Sequence, residues 1–75
     1  MTAPTPEQGT HFWFMSIQAP TRTGIYAASH QGSWTPRAGQ TRLDLFNEIY
    51  AHVEASDPPS RGGTVIAFDI QPNQL

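Results

Sequence analysis

His11, His30 and His52 are the only imidazoles in this 75-residue chain, so proton transfer or metal binding near neutral pH would fall first to them. Their separations, 19 and 22 residues, match no usual zinc spacing, in which paired ligands lie a few residues apart. Ser29 precedes His30, which places a hydroxyl beside a base in sequence. Neighbours on a strand point to opposite faces, however, so the pair does not form a nucleophile–base couple. No Gly-x-Ser-x-Gly elbow occurs. Gly62-Gly63 leads into an apolar strand-like run rather than a helix, which deprives it of the helix N-terminus that cradles phosphate. No paired carboxylates stand out, and Asp69 reads as an outer-face charge that discourages sheet aggregation. No catalytic residue, metal site or cofactor is therefore assigned. His52 is expected to pair with Glu48 near a helix end, and His11 to flank a strand at the surface. His30 is left without a structural role.

Any site must then be a surface, and composition limits which kind. The four cationic side chains, Arg22, Arg37, Arg42 and Arg61, are scattered, and the net charge is −2. Nucleic-acid binding calls for a clustered basic footprint, which is missing. There is no cysteine, which excludes disulfides and thiolate metal sites. A core of this size rarely supplies more than about 3–5 kcal/mol alone, and oligomerisation is the remaining staple. Residues 1–10, with Pro4, Pro6 and Gly9, read as a disordered tail, and residues 11–75 as one domain. With neither a secretory signal nor a membrane-spanning apolar stretch, the expected location is cytoplasmic.

The elements that position this surface follow from periodicity. His11 to Gln18 carries aromatic and β-branched residues suited to a strand, with Trp13, Met15 and Ile17 on one face and Phe12 and Phe14 on the other. Its two apolar faces predict a central strand. Residues 19–24 form a turn, and Ile25 to Trp34 returns as a second strand on which Tyr26, His30 and Trp34 share a face. Gly32 reads as a bulge. Thr41 reads as an N-cap, with Asp44 completing a capping box, for a helix over 42–55. Leu45, Ile49 and Val53 form its apolar stripe, and Pro58-Pro59 ends it. Thr64 to Gln71 is the third strand, with Ile66, Phe68 and Ile70 on its core face.

This order predicts an α+β fold, β-β-α-β, with a three-stranded sheet in the order 2-1-3 and the helix on one face. One helix covers one face. The other is expected to present Phe12, Phe14, Tyr26, His30 and Trp34, with Val65 and Ala67, as an aromatic interface.

The segments His11-Phe12-Trp13-Phe14-Met15, Thr41 to His52 and Phe68 to Leu75 make the chain resemble small proteins of unassigned activity encoded in actinobacterial genomes and their phages or plasmids. That resemblance spans most of the folded part and brings no activity with it. At the level of fold the chain is similar to HicB-like antitoxin domains, in which a hairpin precedes a Gly-x-Thr-initiated helix and a final strand. Gly39-Gln40-Thr41 matches that helix start. The similarity implies protein binding ahead of catalysis.

The expectation is a protein-interaction module, accessory or inhibitory, that binds another protein or a second copy of itself through the open sheet face or an edge strand. The alternatives are a nucleic-acid-binding regulator that stacks bases on the aromatic face, and a small enzyme without a recognisable motif.

Overall fold

The computed structural model describes residues 8–75. They form β1 (His11–Pro20), β2 (Ile25–Trp34), α1 (Arg42–Ser56), one turn of 3-10 helix (Pro58–Ser60) and β3 (Thr64–Pro72). The strands make one antiparallel sheet in the order β2-β1-β3, so the α+β arrangement β-β-α-β and its central first strand are as the pattern predicts.

The helix begins where its capping chemistry dictates. The Asp44 N–H donates to Thr41 Oγ1 at 3.1 Å, and the Thr41 N–H donates to Asp44 Oδ2 at 3.0 Å. Two otherwise unpaired donors are satisfied reciprocally, with Asp in place of the more usual Glu. The four-residue repeat then turns Leu45, Ile49 and Val53 inward, where they are buried against Trp13, Met15, Ile17 and Ile70. Phe46 and Tyr50 widen the stripe, and Phe46 meets Phe68 edge to face at 5.2 Å.

The register of the hairpin overturns part of the expected face assignment. β1 pairs with β2 without a break, from His11 opposite Trp34 to Pro20 opposite Ile25. The strands run up to Pro20 and resume at Ile25, so the turn holds only residues 21–24. An even number of linking residues sets each odd-numbered residue of β1 opposite an even-numbered residue of β2. Residues directly opposite share a face. Tyr26, His30 and Trp34 therefore lie with Met15 and Ile17 on the helix side, not with Phe12 and Phe14. Gly32 is not a bulge. It lies opposite Trp13, where a Cβ would come within 3.1–3.2 Å of the indole.

The bulge is on β3 instead. Ser16 faces Ala67 and Ile17 faces Val65, which leaves Ile66 as the extra residue. Faces invert across it. Val65 packs against the core, contrary to its expected place on the open face, and Ile66 is 57% exposed. Of the trio expected on the core face, Phe68 and Ile70 are there.

Most of the expected tail lies outside the described residues. Its last residues are tied to the sheet: the Gly9 N–H donates to Ser33 Oγ at 2.9 Å, and the Asn73 N–H donates to the Thr10 carbonyl at 2.8 Å.

Gly63 closes the corner between the 3-10 turn and β3. A Cβ there would lie 2.5 Å from Ile17 Cγ2 and 3.0 Å from the carbonyl oxygens of Gln18 and Ser60. Two of those neighbours are backbone and Ile17 is fully buried. Gly63→Ala should thus cost about 1–3 kcal/mol, the usual range for overpacking. Urea denaturation checks this, and an unchanged midpoint would show that the corner can give way.

Candidate functional site

Polar chemistry in the described residues concentrates at Asp57, just beyond the end of α1. The Asp57 N–H donates to the Val53 carbonyl at 2.8 Å, which fixes the carboxylate relative to the helix. Pro58 and Pro59 then force the chain into the 3-10 turn, returning Ser60 toward Asp57. From the sheet side, Tyr26 and His30 reach the same point because they stand four residues apart on one face of β2.

One oxygen serves all three. Asp57 Oδ2 accepts from Tyr26 OH and from Ser60 Oγ, each at 2.8 Å, and lies 3.2 Å from His30 Nε2. The Tyr26 hydrogen bond, followed by that from Ser60, holds the Asp57 carboxyl below the usual carboxylate range. The same hydrogen bond raises the Tyr26 phenol. His30 Nε2 is close enough for an ion pair, yet it makes no hydrogen bond and the atom is buried. His30 is thus placed as a near neighbour of the carboxylate at 3.2 Å.

The arrangement is a clamp and not a nucleophilic relay. A Ser-His-Asp relay sets the imidazole between hydroxyl and carboxylate. Here the fully buried Ser60 donates directly to Asp57. Among the described residues no group of three His, Cys, Asp or Glu side chains converges on a metal position.

The other imidazoles are occupied. His52 lies edge-on to Trp13 and Trp34, with centroids at 6.1 and 5.6 Å. Its expected partner Glu48 instead accepts from Arg37 at 2.7 Å and Gln40 at 2.8 Å. The Gln40 bond and then the Arg37 bond lower the Glu48 carboxyl. His11 Nδ1 shares a hydrogen bond with Thr10 Oγ1 at 2.8 Å.

The five residues expected to form one aromatic surface are thus divided. Tyr26, His30 and Trp34 belong to the helix side. Phe12 and Phe14 alone remain on the uncovered face, where Phe12 lies between Ser33 and Gln71, and Phe14 between Gln31 and Asp69. Their neighbours Ile25, Ala27, Ile66 and Ala67 are exposed, interspersed with serine and glutamine. Asp69 is the only formally charged residue in the three strands.

The two sheet edges differ sharply. β3 carries three features that disfavour further pairing: the bulge at Ile66, the charge of Asp69, and Pro72, which has no N–H. β2 carries none of them. All ten of its residues pair with β1 in unbroken register, it contains no Asp, Glu, Lys, Arg or Pro, and among the described residues no strand lies on its outer side.

Sequence reasoning missed Asp57 and Ser60. The signal was present as Asp57-Pro58-Pro59-Ser60, an acid before a proline-initiated turn with a hydroxyl three residues on. Its reach to Tyr26 and His30 depends on which face of β2 meets the helix.

No family model matches the chain, and no curated protein or solved structure matches it significantly.

Proposed function

We propose that this chain is a small protein-interaction module, accessory or inhibitory in effect, that acts by adding its β2 edge to a strand of another chain. The unprotected β2 edge carries this reading. An exposed strand of this length presents a row of unpaired N–H and C=O groups that template further pairing. Strand addition draws affinity from those main-chain bonds. Phe12 and Phe14, on the uncovered face of the adjoining strand, support the seam rather than constitute the interface themselves.

A comparison of variants tests this reading. Ala27 and Ala67 are both exposed, Ala27 on the β2 edge strand and Ala67 on β3. Proteins held by immobilised wild type should be retained by Ala67→Lys and lost from Ala27→Lys, because lysine on an edge strand opposes pairing. Phe14→Glu should weaken capture only partially and leave the helix signal in circular dichroism unchanged, since Phe14 points away from α1. Equal capture by both lysine variants would refute the edge mechanism.

A further inference from the structure

We infer that the occupant of the β2 edge is a second copy of this chain, joined antiparallel about a two-fold axis so that two three-stranded sheets become one six-stranded sheet. The inference rests on the interaction reading above and names the partner for it.

Charge favours self-pairing. β2 reads Ile-Tyr-Ala-Ala-Ser-His-Gln-Gly-Ser-Trp, with no formal charge. Two copies in any antiparallel register bring no like charges together apart from His30 when protonated, and a charged partner strand would find no complement. His30 faces Met15 on the helix side, with its Nε2 near Asp57, so a charge on it has a counter-ion within its own chain.

Symmetry favours it as well. An antiparallel edge contact is isologous, with the same patch used on both chains, so it closes after one step. The features that blunt β3 matter here. With one receptive edge per chain, self-pairing ends at a dimer, whereas two receptive edges would propagate a fibre. Among the described residues no strand occupies this edge, Gly9 meeting β2 only at its Ser33–Trp34 end, and pairing with an identical chain satisfies both edges at once.

The geometry has a further consequence. The two-fold axis stands perpendicular to the sheet, so residues opposite one another across the seam have the same parity. Both helices then lie on one side. Ile25, Ala27, Ser29, Gln31 and Ser33 of each copy meet on the other side and join the two uncovered faces, with Phe12 and Phe14, into one surface. The Phe12 and Phe14 pairs of the two copies then stand on either side of the seam, with Ser29, Gln31 and Ser33 of both copies between them.

Sedimentation velocity of the full chain across micromolar concentrations tests the inference. Wild type and Ala67→Lys should sediment as dimers. Ala27→Lys should raise the dimer dissociation constant by about 100-fold or more, because each copy brings an unneutralised charge to the same seam. Circular dichroism should show every variant folded. Gln31→Lys, also exposed on β2, replaces Ala27→Lys if the latter unfolds. A wild type that stays monomeric overturns self-pairing while leaving the capture comparison to judge strand addition to other proteins. A dimer that survives both β2 lysines but dissociates in Phe14→Glu overturns the edge seam in favour of face-to-face packing.

Discussion

Ile49→Ala should leave the chain largely unfolded at room temperature. Ile49 is fully buried between Leu45 and Val53 on α1, in the cluster that joins the helix to Trp13, Met15, Ile17 and Ile70 of the sheet. Removing the three carbons beyond its Cβ sacrifices transfer free energy and leaves a cavity, together about 2–5 kcal/mol. A domain of this size rarely has more than about 3–5 kcal/mol to lose. No disulfide limits the damage, because the chain has no cysteine. Ile49→Val deletes only one methyl, costs about 0.5–1.5 kcal/mol, and should remain folded with a lower urea midpoint. The pair separates volume from chemistry, since both replacements are apolar. Far-ultraviolet circular dichroism and urea titration provide the measurement. An Ile49→Ala variant that melts like wild type would contradict the helix–sheet packing. Self-association would raise the apparent stability of both variants with protein concentration, so the comparison is made at one concentration.

The elements were legible because their signals are local. Thr41 and Asp44 mark the helix start, Pro58-Pro59 its end, and the Leu45-Ile49-Val53 repeat its buried face. The apolar content of Phe12 to Ile17 on both faces marks a central strand. The faces of the outer strands were less legible, because they depend on counts that a single residue can invert. Six linking residues over 19–24, as expected, or four over 21–24, as observed, give the same even parity, and it is that parity, not the alternation along β2 alone, that turns Tyr26, His30 and Trp34 toward the helix. A bulge shifts the phase again at Ile66, with no glycine or proline there to announce it. Gly32, which did look like a bulge signal, makes room for the Trp13 indole instead. The candidate site inherits these errors. An aromatic face assembled from alternation separates once the register is known, and the feature that survives is an edge. An edge was readable in part, since the absence of charge and proline from Ile25 to Trp34 is plain in the sequence, but only strand order shows that among the described residues no further strand pairs with it.

Asp57→Ala should be the most damaging polar substitution. Its carboxylate is the shared acceptor for β2, through Tyr26, and for the 3-10 turn, through Ser60. Stranding the fully buried Ser60 hydroxyl costs about 1–3 kcal/mol by itself, and Tyr26 loses its partner in the same step. The helix end, which β2 holds only through this corner and the Trp34–His52 contact among the polar and aromatic contacts described, should fray. Asp57→Asn keeps an acceptor oxygen but removes the charge, and so isolates the pH dependence. In the wild type the Asp57 carboxyl is lower in the folded chain than in the unfolded one, chiefly through Tyr26 and then Ser60. Its stabilisation is therefore complete above the unfolded carboxylate range and disappears as pH falls through the folded value. Glu48 is lowered too, by Gln40 and Arg37, and acts in the same acidic window, so Asp57→Asn should flatten the acid limb without abolishing it. The phenol of Tyr26 is raised, and the sign reverses: its contribution is complete below the unfolded phenol value and is lost as pH rises through the folded one. One hydrogen bond thus shapes both ends of the stability profile. Tyr26→Phe should weaken the acid limb and remove the phenol's contribution to the alkaline limb. Urea midpoints measured from acid to alkaline pH give the comparison. If Tyr26→Phe left both limbs as in wild type, the Tyr26–Asp57 bond would not persist in solution, and the hydrogen-bonded clamp between β2 and the end of α1 would be lost.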